Sequence, residues 1–436
     1  MKRTFGPRLL PAILFFAHFS SQQVTGADAN HSGYSAEETQ TISILFIGNS
    51  FTQRNSLTEV VKTLFEQGNP GMTLDVYTQT YGGRSLEEHW KLGTQNFIKQ
   101  SLLTAQEEQE MITKIENEIS KDPDNKDPFT SYYKLALPRH RELLTNINNK
   151  TVKKWDIVVL QSWQDDRTGA DSPYLTYAPM FAGATAAQGG KVILYETTPS
   201  TQNARPLTSP PTNRTSVMDK EKYIAELGRN LNAMVVPMAL TAYNCQLTRP
   251  DFTLRYIDDF HPNQTMTYLT ACTFYAVLSN RSPEGLPLDR VRASVYLDEN
   301  NKQLDQNGDP IVKIFSTADK EDLQRIAWES VNEFKETFVG VERISVDQGI
   351  SAFPNPARET LNVSLKEADS NCFLGLRILR TDGKLAYSAD NLDPELKEIS
   401  LSLSGLAPSV YFIHAETLKG TYTTKFSVTH VNNILR

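Results

Sequence analysis

Between residues 41 and 337, short, mainly apolar runs alternate with longer stretches whose apolar positions recur every three or four residues. The runs at 42–47, 74–77, 157–160, 192–195 and 234–236 have strand length. They are apolar on both faces, as parallel strands are when helices cover them above and below. Ser56-Leu57-Thr58-Glu59 reads as a capping box, and Leu57, Val60, Val61, Leu64 and Phe65 behind it share one helical face. Residues 264–278 and 319–338 also read as helices. The alternation predicts a three-layer α/β domain over 41–340, with a parallel sheet of about five strands.

Two segments break the alternation. A polar, charge-mixed insert at about 93–154, including a helical stretch at 106–121, contributes no sheet strand. It reads equally as a helical cap over a site and as a solvated peripheral hairpin. Past residue 342 the helical period stops, and strand-like runs follow at 361–365, 374–379, 385–387, 399–403, 410–415 and 421–428. Asp382-Gly383 and Lys419-Gly420 stand where hairpin turns belong. The expectation is a small β-sandwich over 353–431, joined by a linker at 341–352.

The N-terminus reads as an address. Lys2, Arg3 and Arg8 precede an apolar stretch at 9–17, and Ala27-Asp28-Ala29 offers a small-x-small exit. This predicts a signal peptide over 1–29 and an exported protein. No other stretch has the roughly 18 apolar residues of a membrane span. A net charge of −7 and no later basic run argue against a nucleic-acid partner. Cys245, Cys272 and Cys372 form no C-x-x-C pair, so they read as small buried hydrophobes, although a Cys245–Cys272 disulfide would suit an exported chain. No metal site and no cofactor are implied. Asp305-Gln306-Asn307-Gly308-Asp309 lacks the ligand set of a calcium loop and reads as a turn.

A hydroxyl nucleophile needs a base for its proton, a carboxylate for the base, and donors for the oxyanion. Ser50 follows the first strand and precedes a helix, at the end of a sheet where α/β proteins bind ligands. His261 has a carboxylate three residues before it, in Asp258-Asp259-Phe260-His261-Pro262. That spacing lets one loop place Asp258 on Nδ1 and leave Nε2 for Ser50.

These residues resemble a known family. Ile44-Leu45-Phe46-Ile47-Gly48-Asn49-Ser50-Phe51 is similar to the first block of SGNH (GDSL-like) hydrolases, with Asn49 where Asp is common. Asp258-x-x-His261-Pro262 resembles their last block, which carries acid and base. Gly82-Gly83-Arg84-Ser85 resembles the second, and the likeness implies Gly83 N–H as an oxyanion donor. Gly82–Trp90 and Trp155–Gln161 are similar to an uncharacterised bacterial SGNH-like branch. The third block departs: where the family has Gly-x-Asn-Asp, this chain has Gln161-Ser162-Trp163-Gln164-Asp165. Block position gives Gln164 the role of side-chain donor, while Gln161 lies nearer the strand end. Asn49, Arg84, His89 and Trp163 are candidates for lining the substrate site. In the C-terminal part, Phe353-Pro354-Asn355-Pro356-Ala357, Asp382-Gly383-Lys384, the run 403–412 and Lys425-Phe426 resemble the type IX secretion sorting domain of Bacteroidetes.

The resemblances imply a secreted or cell-surface serine esterase, removing acetyl or similar acyl groups from a carbohydrate or other small ester. The type IX machinery is the partner implied for export, through the periplasm to the surface or medium. The altered third block keeps a non-catalytic glycan-binding protein in view, and an O-acyltransferase would use the same triad.

Overall fold

The computed structural model describes residues 40–163, 165, 167, 172–197, 202–298, 300–339, 350–365, 372–380, 384–390, 392–393, 396–417 and 420–429. The leader at 1–29, Gln164, the Asp382-Gly383 turn and most of the expected linker lie outside them.

The five apolar runs form the strands β1 (Gln40–Gly48), β2 (Met72–Thr80), β3 (Ile157–Leu160), β4 (Lys191–Tyr195) and β5 (Met234–Val236). All pair in parallel in the order β2-β1-β3-β4-β5, so the chain reverses direction across the sheet between β1 and β3. Alternation along β1 divides the core. Ile44 and Phe46 pack on one face with side chains of α2 (Leu57–Gly68), α10 (Gln264–Ser279) and α11 (Thr317–Phe334). Leu45 and Ile47 pack on the other with side chains of α3 (Leu86–Lys91), α4 (Gln95–Lys99), α7 (Pro173–Ala187) and α8 (Arg214–Leu231). Each fully buried aliphatic side chain contributes about 1.5–3 kcal/mol, and these two faces hold the sheet between helical layers.

Before α2 comes the short helix α1 (Ser50–Gln53). The capping box expected at 56–59 does not form, because Ser56 sits in the left-handed region at φ 53 and makes no side-chain cap. Asn55, also at φ 53, is drawn into the core instead. Its Nδ2 donates to the Pro262 carbonyl at 2.9 Å and to Thr267 Oγ1 at 3.0 Å. That inward pull turns the backbone before α2 begins, and it ties the segment after Ser50 to the segment after His261.

The insert forms α5 (Ala105–Lys121) and α6 (Thr130–Asn149) and supplies no strand, as expected. Its core carries a buried pair in which His140 Nδ1 meets Glu108 Oε1 at 2.6 Å, with Nε2 on the Leu92 carbonyl at 2.8 Å. The helix α9 (Met238–Thr248) follows β5. Between α10 and α11 lie two small two-stranded sheets not anticipated from the pattern. β6 (Arg290–Arg292) pairs with β9 (Val312–Ile314), and β7 (Tyr296–Asp298) with β8 (Asn301–Asp305).

The C-terminal part is an antiparallel sandwich. One sheet joins β10 (Ile350–Phe353), β11 (Thr360–Leu365) and β14 (Glu398–Ser402). The other orders β13 (Leu385–Asp390), β12 (Phe373–Arg380), β15 (Ser409–Thr417) and β16 (Gly420–Val428). Leu361, Val363 and Leu365 face its core, as their alternation with polar neighbours requires. β10 was not foreseen: it begins in the stretch expected as linker. The three cysteines are buried, Cys245 and Cys272 are not joined in a disulfide, and burial pushes the Cys245 thiol up to about 12.

Candidate active site

Ser50 lies just past the carboxyl end of β1, where Gly48 and Asn49 turn the chain into α1. The turn is tight. A Cβ on Gly48 would stand 2.4 Å from Thr52 Oγ1 and 2.6 Å from Gln161 Oε1, so only glycine fits. Asn49 is the N-cap of α1: its side-chain oxygen accepts from Phe51 N–H at 3.0 Å, and its Nδ2 donates to the Arg84 carbonyl at 3.2 Å. It is fully buried, so the expected place in the substrate site is corrected to a structural one.

His261 comes from the loop between Arg255 and Pro262, which bridge each other in antiparallel fashion. Its Nε2 lies 2.7 Å from Ser50 Oγ. The carboxylate on its Nδ1 is Asp259, not Asp258. The reason is the loop's shape. His261 N–H donates to Asp259 Oδ1 at 3.1 Å, and this turn presents the same oxygen to the ring. Asp258 is exposed at the loop's tip and makes no bond to His261. Burial alone would raise the Asp259 carboxyl, but hydrogen bonds from the His261 ring and backbone and from Gln306 outweigh it and hold the group below its ordinary value. The loop is held in turn by Arg255, whose Nη1 donates to the carbonyls of Tyr256 at 3.0 Å and Ile257 at 3.2 Å.

The second block forms a turn in which Arg84 N–H donates to the Tyr81 carbonyl at 3.2 Å and Gly83 takes φ +68. The Arg84 carbonyl accepts from Asn49 Nδ2 and, at 3.3 Å, from Trp163 N–H. One carbonyl therefore joins the turn to the loops after β1 and β3. The insert reaches the same turn: Tyr132 OH donates to the Gly82 carbonyl at 2.9 Å, and the Arg84 guanidinium lies 4.4 Å from the Tyr132 ring centre.

The remaining candidates separate. Gln161 is fully buried, and its oxygen accepts from Asn49 N–H at 2.7 Å and Thr52 Oγ1 at 3.0 Å. Its amide nitrogen donates to the Ser162 carbonyl at 3.0 Å, so from within the protein it braces the turn that carries Ser50. Gln164 lies outside the described residues. His89 is also fully buried: Nε2 donates to the Gly48 carbonyl at 2.9 Å and Nδ1 faces Thr94 Oγ1 at 3.1 Å. Burial, only partly offset by the Gly48 carbonyl, lowers it to about 4, so the ring is neutral and structural. Trp163 is 43% exposed and, with Gly83 and Arg84, lines a cleft of about 390 Å³. Arg84 is paired there with Glu88 at 2.6 Å.

Sequence reasoning missed Asp259, Arg54 and Gln306. Asp259 carried a signal, being a carboxylate inside the motif itself. Arg54 and Gln306 carried none, because only the folded chain brings them to the loop.

Residues 351–429 match the secretion system C-terminal sorting domain family. No curated protein matches the chain. Among solved structures, a protein from Slackia heliotrinireducens provisionally described as an SGNH hydrolase is similar at 15% identity and TM-score 0.32, covering 55% of this chain and all of its own. A gut microbial diltiazem-metabolizing enzyme is similar at 8% identity and TM-score 0.27, over 84% of this chain and 74% of its own. A DUF3244 family protein from Bacteroides vulgatus, an immunoglobulin-like β-sandwich, covers 18% of this chain and 84% of its own at 19% identity and TM-score 0.15. The sorting domain marks the chain for export by type IX secretion, to the cell surface or beyond. No helix among the described residues is long and apolar enough to cross a membrane.

Proposed function

We propose that this exported protein is a serine esterase that hydrolyses acyl esters, acetyl esters of carbohydrates first among them, through an acyl-enzyme on Ser50. The observation that carries the reading is the 2.7 Å contact between Ser50 Oγ and His261 Nε2, with Asp259 on the opposite ring nitrogen.

In this mechanism Ser50 Oγ bonds to the ester carbonyl carbon while its proton passes to His261 Nε2. The carbonyl electron pair moves to oxygen. Backbone N–H groups of Ser50 and Gly83 are the donors proposed for that oxyanion, with Gln164 as the side-chain donor. Collapse breaks the bond to the alcohol oxygen, which leaves with the proton from Nε2. Water then attacks the acyl-Ser50 carbonyl and gives its proton to Nε2. Collapse of the second tetrahedral species frees the acid and returns the proton to Ser50. Asp259 keeps Nδ1 protonated, which leaves the Nε2 lone pair facing Ser50.

Export and the exposed Trp163 beside the Gly83 turn support a carbohydrate ester as substrate. The test is hydrolysis of a chromogenic acetate ester and of acetylated polysaccharides by the mature protein, beside Ser50→Ala and His261→Ala. Acetate release that vanishes in both variants is expected. Equal release by wild type and Ser50→Ala would sink the reading.

A further inference from the structure

Both oxygens of Asp259 are occupied by groups from separate parts of the chain. Oδ1 takes the ring and backbone N–H of His261, the latter at 3.1 Å. Oδ2 takes Arg54 Nη2 at 3.0 Å and Gln306 Nε2 at 3.2 Å. Arg54 and Gln306 are also joined to each other, Nη1 to Oε1 at 3.2 Å, which closes a triangle over the carboxylate. Arg54 sits just after α1, so one corner of the triangle is tied to the nucleophile's own segment.

Gln306 reaches this place through the turn that follows β8. Asp305 Oδ1 accepts from Asn307 N–H at 2.8 Å and Asp309 N–H at 3.0 Å, while Gly308 takes the left-handed φ of +86 that the turn requires. Asn307 Oδ1 then accepts Ile257 N–H at 3.0 Å, docking the turn on the loop that carries both Asp259 and His261. The turn read from sequence as a plain reversal is therefore a brace for that loop.

We propose that Arg54 and Gln306 are positioning residues that fix Asp259 in the one orientation that keeps His261 in its Nδ1–H tautomer. This rests on the serine-esterase reading above. A partly buried aspartate with one oxygen unengaged would turn about its side-chain bonds, and its neighbour Asp258 is exposed to solvent. With Oδ2 held by a forked guanidinium and an amide, Oδ1 stays on Nδ1. The alternative is built into the same geometry. Arg54 Nη2 lies 3.3 Å from His261 Nδ1, so a displaced Asp259 leaves an N–H donor facing that nitrogen. A donor there favours the Nε2–H tautomer, which cannot take the proton of Ser50.

The experiment compares Arg54→Met, Gln306→Leu, Arg54→Lys and Ser50→Ala in the full mature chain. It measures kcat and KM on an acetate ester, thermal midpoint, and the low-field proton resonance of His261 Nδ1–H. Arg54→Met is expected to lower kcat by about 10–100-fold at unchanged KM, as a misplaced catalytic group does. Its low-field resonance is expected to broaden or vanish. Gln306→Leu should do the same to a lesser degree, and Arg54→Lys should restore part of the loss. An inactive Ser50→Ala beside an Arg54→Met or Gln306→Leu that keeps wild-type kcat and resonance would overturn the clamp and leave the esterase reading standing. If Ser50→Ala stays active, the esterase reading fails, and the resonance alone decides the clamp. Should Arg54→Met not fold, Gln306→Leu and Arg54→Lys carry the same comparison.

Discussion

Asp259 and His261 are joined twice, once through the ring and once through the backbone, and Asp258 beside them is not joined at all. Two adjacent aspartates thus differ wholly in what they can do to the base. Asp259→Asn is expected to reduce kcat by roughly 10³–10⁴-fold, because an amide can donate to Nδ1 and select the wrong tautomer. Asp258→Asn should leave kcat within about twofold, since an exposed carboxylate without a partner is worth little at that range. Steady-state kinetics on one chromogenic ester decide between them. A reversed ranking would return the acid role to the position three residues before the base.

Why the sequence pointed one residue too early is a matter of loop closure. A spacing of three fits a loop that passes the ring in open form. Here Tyr256 N–H closes on the His261 carbonyl at 3.3 Å, and the tightened loop pushes Asp258 outward. Arg255 and Pro262, which pin that closure, carry no signal in a string of letters. The sheet was more legible: β1 to β5 each follow from an apolar run, and Ile44 and Leu45 fall on opposite faces by simple alternation. The buried polar residues were least legible. Asn49, His89 and Gln161 look like site residues because polar side chains near a nucleophile suggest ligands. Their hydrogen bonds are instead spent inward, holding the Gly48 turn.

That inward spending gives a test at His89. Replacing it with Phe takes one of two donors from the Gly48 carbonyl, which keeps Tyr81 N–H at 3.0 Å, and removes the ring partner of Thr94 Oγ1, a loss of about 1–3 kcal/mol for a buried polar group. The expected result is a lower thermal midpoint with KM unchanged. A raised KM at unchanged stability would restore His89 to the substrate site.

Gly48 gives the converse case, a small change with a local effect. In Gly48→Ala the new Cβ meets Thr52 Oγ1 and Gln161 Oε1 at 2.4 and 2.6 Å. Thr52 follows Ser50 in α1 and Gln161 braces the turn from the end of β3, so the turn has to shift. The expected outcome is loss of kcat of about 10²-fold, as for a displacement near 1 Å, in a protein that remains folded. Circular dichroism beside kinetics separates this from unfolding.

Export is tested apart from chemistry. Deleting residues 351–429 removes the matched sorting domain, and in a host with type IX secretion the chain is expected to stay within the cell envelope. Fractionation and surface proteolysis of cells carrying both forms read the outcome. Surface display of the shortened chain would show that another segment carries the address.

The last prediction concerns pH and a buried carboxyl pair away from the triad. Glu196 and Glu221 are both fully buried. Glu196 Oε1 accepts Ala239 N–H and Glu221 Oε1 accepts Leu240 N–H, each at 2.6 Å. Lys220 Nζ stands 3.7 Å from Glu196 Oε2, and 3.0 Å from Asp165 Oδ1. Burial is the chief cause that raises Glu221 well above the ordinary range, and the charge of Glu196 beside it adds to the rise. Its folded value therefore lies above its unfolded value. The stability it contributes is fully present below the ordinary glutamate value of about 4.3 and is lost as pH rises through the folded value. Glu221→Gln keeps an oxygen for Leu240 N–H and an N–H for Glu196, so it copies the neutral form at every pH. Urea midpoints of wild type and variant should agree at about pH 3, below the ordinary glutamate value, and the variant should be the more stable at about pH 9. A variant no more stable than wild type at pH 9 would mean that Glu221 is ionised and held by Lys220, with the shared proton elsewhere.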